Sequence, residues 1–393
     1  MHKYGFILGR KWRLSVAELQ SVFGCEGKTA EGQVWINEFE EELSADVLAR
    51  LGGTIKIVKF FDECSDFGEV EKKFIDHLLK LENQKIKFAL SLFNFNKQFL
   101  TKHKKILNNL KRGLKEEKRG ARFLNKPNQN IKSVVIFEEK LDIKKSDLNL
   151  VKFDGKFLLG YCIAVQNFKK YSYRDYERPA RDSKSGMLPP KLAQIMINLA
   201  CSGEGECVLY DPFCGSGTVL MEGLLMGKKV IGSDISEKAI KDSEQNLQWL
   251  GKHFEVERSY DLFLKDATEL SGGDFSILPG CVVSEVYLGP PQSKLPAEKE
   301  MKANFKEIES IIIGALESLK GILKEGSNVV LAVPFYRGRS GNYFLPMFNK
   351  NLANLGYNIE KWPRLSTDRG ALLYFRSDQI VGREIFKLKM VEK

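Results

Sequence analysis

The chain has 393 residues, of which 43% are hydrophobic and 28% charged, and a formal net charge of +10. This length predicts two or three domains at about 150 residues each, and the absence of an apolar run near the roughly 20 residues needed to cross a bilayer predicts a soluble, cytoplasmic protein without a membrane partner. Seven scattered cysteines without a C-x-x-C pair, and four histidines, predict neither a disulfide framework nor a metal site.

The first 62 residues predict a small α+β unit, because short apolar strands alternate with helical patterns. A second α+β stretch is expected over 63–168. The elements predicted in these two stretches are strands at 4–8, 34–36, 54–58 and 87–92, a helix opened by a capping box at Ser15 and Glu18, helices at 44–52, 69–81 and 101–118, and a hairpin at Asp154-Gly155.

Positive charge is concentrated in one part of the second stretch. Ten lysines and arginines lie between Lys102 and Lys126, against two acidic residues. A solvated helix face explains most such runs. This run, however, ends with arginines beside an aromatic residue, and clustered cations bind nucleic acid by releasing counterions from phosphates. We therefore predict a nucleic-acid contact through Lys111, Arg112, Arg119 and Arg122.

Residues 169–185 are polar, basic and Pro-containing, which predicts a linker. From residue 186 onward, helices and strands alternate, which predicts a parallel sheet covered by helices on both faces. The expected helices are at 189–200, 217–226, 237–249, 300–320 and 343–355, and the expected strands at 208–211, 229–234, 261–265, 281–287, 328–335, 371–376 and 381–389. The last two strands are close in sequence, so they predict an antiparallel hairpin at the sheet edge.

The segment D-P-F-C-G-S-G-T (211–218) lies between a predicted strand and helix. Its two glycines allow a tight turn in which backbone N–H groups face a ligand. Asp234 ends the next strand, 23 residues after Asp211, where an acid can accept both hydroxyls of a ribose. The turn lacks a third glycine and opens with an acid, which disfavours a pyrophosphate and suits a cationic ligand. An unrelated Rossmann-like turn is the alternative.

This segment resembles motif I of S-adenosylmethionine-dependent amino methyltransferases. R-P-A-R-D (178–182) and G-M-L-P-P-K-L-A (186–193) narrow the resemblance to the tRNA guanosine-10 N2-methyltransferase group, as do F-I-L-G-R (6–10) and L-G-G-T-I-K-I (51–57). The resemblance implies an α/β fold with a seven-stranded doubly wound methyltransferase domain at 186–393. It also implies a ferredoxin-like domain at 1–62 and an RNA-binding THUMP domain at 63–168. S-adenosylmethionine would be the cofactor and tRNA the partner; a small activator subunit stays open, with a monomer as the default.

The resemblance also assigns cofactor and RNA contacts. The cofactor residues that it implies are Asp211, Pro212, Cys214, Gly215, Gly217, Thr218, Asp234, Ile235, Asp266 and Ala267. Asp211 and Asp234 could instead be caps at strand ends, and Asp266 could equally cap the turn that follows it. In the predicted linker, Arg178 and Arg181 are added to the RNA contacts.

The fourth strand departs from the family motif of Asp or Asn, two prolines and an aromatic residue. Without a gap, Glu285 aligns with the acid, and Tyr287 could supply the aromatic ring one position early. The lone pair of an exocyclic guanine amine is delocalised into the ring, so acceptors must hold its N–H groups during attack. We predict that Glu285 is this acceptor and that Tyr287 stacks on the base. The alternatives are an RNA-binding protein with a decayed catalytic motif, or an amino methyltransferase for DNA, rRNA or a protein.

Overall fold

The computed structural model describes residues 1–82, 84–126, 128–181, 187–201, 207–256 and 259–391. The chain forms two compact units, of which the first comprises 1–16 and 25–170 and the second 17–24 and 171–393. Across the described ranges, every helix is too short or too polar to cross a membrane. The part of the predicted linker at 182–185 lies outside the described residues.

An eight-stranded sheet forms the framework of the first unit, in the order β2-β3-β1-β4-β8-β7-β5-β6. The strands are β1 (His2–Leu8), β2 (Lys28–Ala30), β3 (Val34–Phe39), β4 (Thr54–Cys64), β5 (Lys85–Phe93), β6 (Gly120–Phe123), β7 (Asp147–Phe153) and β8 (Lys156–Val165). The helices up to residue 176 are α1 (Trp12–Phe23), α2 (Val70–Leu79), α3 (Lys97–Leu100), α4 (His103–Glu116), α5 (Ser133–Glu139) and α6 (Phe168–Tyr176), with short 3₁₀ helices at Ala45–Arg50 and Phe67–Glu69. Residues 17–23 of α1 and 171–176 of α6 belong to the second unit. Strands from both sides of residue 62 share this sheet, and a domain boundary there stays a prediction.

Two local signals had different outcomes. The predicted Asp154-Gly155 turn is present, with φ of 50° and 75°, and joins the antiparallel strands β7 and β8. The predicted capping box is wrong, because α1 begins at Trp12 and Ser15 lies inside it. Ser15 Oγ donates instead to the carbonyl of Gly53, at 2.8 Å. A side chain at Gly53 would collide with Ser15, so the glycine permits this close approach.

The second unit contains a nine-stranded sheet, with seven strands in the order β11-β10-β9-β12-β13-β17-β15. Its strands are β9 (Val208–Asp211), β10 (Lys229–Asp234), β11 (Tyr260–Leu264), β12 (Cys281–Glu285), β13 (Asn328–Gly338), β14 (Gly341–Tyr343), β15 (Tyr357–Glu360), β16 (Leu372–Tyr374) and β17 (Val381–Met390). Its further helices are α7 (Pro190–Ala200), α8 (Thr218–Leu225), α9 (Glu237–His253), α10 (Glu298–Leu319) and α11 (Phe348–Asn354), with 3₁₀ helices at Ala267–Glu269 and Gly272–Asp274. Strands β9 to β13 are parallel and β17 is antiparallel to β13, so the predicted methyltransferase variant of the doubly wound fold is confirmed.

The closing strands differ in one respect from the prediction. β16 and β17 do pair antiparallel, as expected. However, β15 also pairs with β17, while β13 occupies the other edge of β17 along nearly its whole length. β15 and β16 therefore form one interrupted edge strand. Its first segment, β15, was not predicted because it has only four residues, which start directly after Gly356, a glycine in the left-handed conformation.

The first part of the predicted linker is ordered. α6 covers 168–176, and its Arg174 is 5% exposed. Arg174 forms a bidentate ion pair with Glu222 of α8, with Nε–Oε1 at 2.6 Å and Nη2–Oε2 at 3.0 Å. This segment is therefore fixed to the second unit by a buried charge pair.

Cysteine pairing was also not predicted. Cys201 and Cys281 are joined as a disulfide although they lie 80 residues apart in sequence. Cys201 follows α7 and Cys281 begins β12, so packing of α7 on β12 produces this proximity, which spacing along the chain does not reveal.

Candidate functional site

A cavity of about 620 Å³ lies at the carboxyl ends of β9, β10, β11 and β12. Doubly wound folds bind ligands at this edge of the sheet, and the volume is within the range of small-molecule sites. Eight of the predicted site residues line it, namely Pro212, Gly215, Asp234, Ile235, Asp266, Ala267, Glu285 and Tyr287. The rest of the lining is formed by Phe213, Thr268, Val286, Leu288, Gly289, Glu307, Ser310 and Ile311.

The glycine turn gives the cavity its open wall. Gly215 has a φ of +52°, and an added Cβ there would meet no atom within 4 Å. Its carbonyl accepts a 2.8 Å hydrogen bond from Ser243 Oγ, which fixes the turn. Gly217, at φ +80°, is the N-cap residue of α8 and does not line the cavity. The turn is thus both rigid and free of side chains where a ligand would approach.

Asp234 is held in place by backbone donors. The N–H of Gly215 donates to its Oδ2 at 3.0 Å, and the N–H of Ser236 donates to its Oδ1 at 2.9 Å. Each carboxylate oxygen keeps a further lone pair, so the group can still accept two hydroxyl hydrogens. The neighbouring Ile235 is 71% exposed, which leaves an apolar surface beside the acid.

Asp266 has both of the features that the sequence left as alternatives. Its Oδ1 accepts from the N–H and the Oγ1 of Thr268, both at 2.8 Å, so it caps the 3₁₀ helix at 267–269. It also lines the cavity together with Ala267. The cap orients the carboxylate, and its Oδ2 has no hydrogen-bond partner within the described ranges.

Asp211 does not line the cavity. It is 2% exposed, and its Oδ1 accepts from Ser284 Oγ at 2.6 Å and from the N–H of Phe213 at 3.1 Å. Burial, assisted by the charges of Asp234 and Glu285, raises the pKa of Asp211 to about 7. Asp211 therefore links β9 to β12, and a contact of Asp211 with the cofactor stays a prediction. Cys214 and Thr218 are likewise buried away from the cavity.

We expect Asp211 to make stability depend on pH. A carboxyl group has a pKa of about 3.9 in an unfolded chain, so between about pH 4 and 7 only the folded state keeps this proton. As the pH rises through that window, Asp211 should decrease the free energy of unfolding by up to about 1.4 kcal/mol per pH unit. The thermal midpoint of Asp211→Asn minus that of wild type should rise from pH 4 to 7 and then level off. Asp378→Asn, at an exposed site, is the control; a difference independent of pH at Asp211 would contradict the expectation.

Glu285 ends β12 and reaches the cavity wall. Its Oε1 accepts a hydrogen bond from Nε of Arg383 in β17, which is 5% exposed. Burial raises the pKa of Glu285, and the Arg383 guanidinium opposes this effect. Oε2 has no hydrogen-bond partner in the described part of the chain. The ion pair therefore leaves one carboxylate oxygen available to a ligand.

Arg383 is a site residue that sequence reasoning missed. It lies inside the largely buried strand β17, where a buried guanidinium needs an acidic partner. That requirement was a usable signal, but the 98 residues between Arg383 and Glu285 hid the partner. Tyr287, two residues beyond Glu285, is 39% exposed and lines the same wall.

The residues predicted to bind RNA are placed differently from one another. Lys111 and Arg112 are exposed on α4, opposite its buried leucines. Arg122 is exposed on β6 and lines a cavity of about 230 Å³ that also contains Lys85, Lys87 and Lys144. Arg119 is half-buried, and its Nη2 donates to the carbonyl of Leu81. Arg119 is therefore in part a structural residue.

The two arginines of the predicted linker also differ. Arg181 is exposed, with its guanidinium 5.4 Å from the ring centre of Tyr176. Arg178 is 2% exposed and donates to Thr218 Oγ1 at 2.7 Å and to Met187 Sδ at 2.6 Å. These contacts hold the Arg178 side chain in the interior, and the prediction that it contacts RNA stays a prediction.

Part of the chain is similar in sequence to known proteins. Residues 177–275 match the family described as RMKL-like, methyltransferase domain. The chain is 30% identical over 203 residues to the tRNA (guanine(10)-N2)-dimethyltransferase of Methanothermobacter thermautotrophicus, covering 50% of this chain and 54% of the relative. It is 29% identical over 200 residues to the protein of that name from Methanocaldococcus jannaschii, covering 50% and 52%. The chain thus spans about half the length of the curated relatives it matches.

A solved structure resembles the whole chain. The crystal structure of TrmN from Thermus thermophilus superposes with a TM-score of 0.53, covers 100% of both chains and is 14% identical. Identity this low shows the fold alone. The resemblance found in the sequence motifs is thereby confirmed by sequence over half of the chain, and the fold alone is supported over all of it.

Proposed function

We propose that the chain is an S-adenosylmethionine-dependent methyltransferase that modifies the exocyclic amine of a tRNA guanosine, at position 10 as in the names of its relatives. The observation that carries this proposal is the cavity in which Asp234, Asp266 and Glu285 meet at one edge of the sheet. The curated relatives support the substrate. Cytoplasmic location and a small activator subunit stay proposals.

The residues of the cavity fit the cofactor. Asp234 would accept the two ribose hydroxyls, Ile235 and Ala267 would contact the adenine faces, and Asp266 would accept from the adenine amine. The open Gly215 turn would accommodate the methionine portion, because no side chain fills it. When bound, the cofactor supplies an electrophilic methyl group on a sulfonium.

Glu285 would prepare the nucleophile. Its available Oε2 can accept an N–H of the guanine amine, which turns the nitrogen lone pair out of the ring plane. Arg383 opposes the effect of burial on the Glu285 pKa and fixes the orientation of the carboxylate. Tyr287 would stack on the base after the nucleotide leaves its helix. A separate general base is not needed, because the methylated amine is cationic and loses its proton readily.

Replacing Asp234 by Ala should weaken S-adenosylmethionine binding by roughly 100-fold, since two hydrogen bonds to a charged acceptor are lost. Isothermal titration calorimetry measures the affinity directly. Asp261→Ala is the matched control, because Asp261 is exposed and lies outside the cavity lining. Equal affinities for Asp234→Ala and wild type would exclude Asp234 from the cofactor site.

The exposed cations of the first unit should contribute to tRNA affinity. Reversing Lys111, Arg112 and Arg122 to Glu should lower it by about tenfold or more and reduce the slope of log Kd against log salt by about 3. S-adenosylmethionine affinity should stay unchanged. Reversing three exposed lysines of the second unit, Lys324, Lys350 and Lys361, is the control for net charge. An unaltered salt slope in the first variant would remove this surface from the tRNA interface.

The altered fourth strand favours one competing function, an RNA-binding protein that no longer methylates. The Glu285–Arg383 ion pair is compatible with it, because a paired carboxylate could serve structure alone. Labelled methyl transfer to unmodified tRNA, followed by nucleoside analysis, separates the two functions. Methylguanosine supports the enzyme, whereas absence of transfer despite binding of both ligands supports the decayed site. Parallel reactions with DNA and rRNA test the remaining alternative substrates.

A further inference from the structure

Three cysteines from different elements meet at the amino-end edge of the second sheet. Cys201 follows α7, Cys207 precedes β9, and Cys281 begins β12. Cys281 pairs in register with Leu209, so the starts of the two strands lie side by side. The cluster is therefore a product of strand order, and it lies at the sheet edge opposite the carboxyl ends where the cavity is formed.

The sulfur atoms are close enough to share one ligand. Cys207 Sγ is 3.2 Å from Cys281 Sγ and 3.6 Å from Cys201 Sγ, and all three lie within 4.8 Å of one another. Tetrahedral zinc bound to thiolates at about 2.3 Å separates its sulfurs by about 3.8 Å. The Cα atoms of Cys201 and Cys281 are 6.8 Å apart, at the wide limit for a disulfide. Reduction and small side-chain rotations would thus bring the sulfurs to metal-binding separations.

The surroundings of the cluster suit a thiophilic cation. Cys281 is buried, while Cys201 and Cys207 are half-buried, so metal can enter from one side. Lys228 lies near enough to Cys207 to interact with its sulfur electrostatically. Three thiolates with a divalent metal have a net charge of −1, which Lys228 offsets in part. Cytoplasmic conditions favour the reduced cysteines, and soft sulfur ligands select zinc over hard cations.

We propose that Cys201, Cys207 and Cys281, when reduced, bind one Zn²⁺ through their thiolates, with water as the fourth ligand. Each thiol releases its proton to solvent as its sulfur binds the metal. The site would join the end of α7 to the starts of β9 and β12, and its role would be structural because it lies away from the cavity. It is independent of the proposed methyl transfer. It also revises the sequence prediction of no metal, which depended on the absence of C-x-x-C spacing.

The test uses the full-length chain, reduced with a phosphine and freed of metal. Titration with Co²⁺ should produce a thiolate-to-cobalt charge-transfer band that saturates at one ion per chain, and Zn²⁺ should remove the band. Cys207→Ser should weaken Co²⁺ binding by at least about tenfold. Cys25→Ser is the control, because Cys25 is a half-buried free cysteine that does not belong to the cluster. Circular dichroism of both variants checks that they fold.

Three results would overturn the proposal. One is the absence of a saturable band in the reduced wild type. The second is an unchanged band in folded Cys207→Ser. The third is rapid formation of the Cys201–Cys281 disulfide in air despite equimolar Zn²⁺, measured by intact mass and peptide mapping, since a thiolate site should protect these cysteines. Methyl transfer assayed separately distinguishes failure of this site from failure of the proposed activity.

Discussion

Replacing Glu285 by Gln should lower methyl transfer to tRNA by at least about 100-fold, with S-adenosylmethionine affinity within about twofold of wild type. A polar or charged group that is aligned with the reacting atoms increases the rate by about 10²–10³-fold when it acts mainly on the transition state. Gln keeps the size and one acceptor oxygen but loses the charge, and its amide would face the Arg383 guanidinium. Single-turnover methylation with labelled cofactor measures the chemical step, and calorimetry measures binding.

Two further variants make this result specific. Glu307→Gln removes an acid from the same cavity, but from α10, and should leave the rate nearly unchanged. Arg383→Met should decrease the rate and move its acidic limb to higher pH, because the guanidinium opposes the rise in the Glu285 pKa. If Glu285→Gln methylated tRNA at the wild-type rate, the only role left to Glu285 would be its pairing with Arg383.

Replacing Arg174 by Met should destabilise the second unit by about 3–5 kcal/mol, because Glu222 would remain buried without its partner. Burial already raises the pKa of Glu222, and Arg174 opposes this shift. For a unit of this size, the thermal midpoint should fall by roughly 6–20 °C. Differential scanning fluorimetry with a calorimetric check is sufficient to measure a change this large.

The matched comparisons are a compensated variant and an exposed pair. Arg174→Met with Glu222→Leu should recover most of the loss, since apolar groups replace both charges. Arg112→Met removes an arginine from the exposed pair with Glu116 and should change stability by less than about 1 kcal/mol. If Arg174→Met melted within 2 °C of wild type, roughly the effect of 1 kcal/mol or less, Arg174 would not anchor this segment.

The sequence predicted the fold well wherever local pattern and tertiary packing agree. Alternating strands and helices after residue 207, and the turn at Asp154-Gly155, were both found from local rules. The start of α1 was misjudged because Ser15 satisfies its hydroxyl with Gly53, far along the chain. β15 was missed because its pairing with β17 depends on sheet order, which a four-residue segment does not encode.

The candidate site also divides into residues that local pattern predicted and residues that depend on contacts between distant parts of the chain. Asp234 and Ile235 were placed correctly at the cavity by motif spacing, because the carboxyl end of a parallel strand determines where they lie. Arg383 and the cysteine cluster depend on contacts between distant strands, which spacing cannot show. The burial of Arg178 was not foreseen, because a positive charge in a polar segment was expected to be exposed, whereas it packs beside Thr218.

Because β17 lies between β13 and β15, the Glu285–Arg383 pair at the cavity wall can form only after β17 has joined the sheet. Glu285 and Arg383 are 98 residues apart, so loop closure makes their pairing a high-contact-order event. Before β17 docks, β13 presents an unpaired apolar edge on which another chain could add a strand. If this strand docks late, the nascent protein would be open to misassembly until then. The same docking step would bring Arg383 to Glu285.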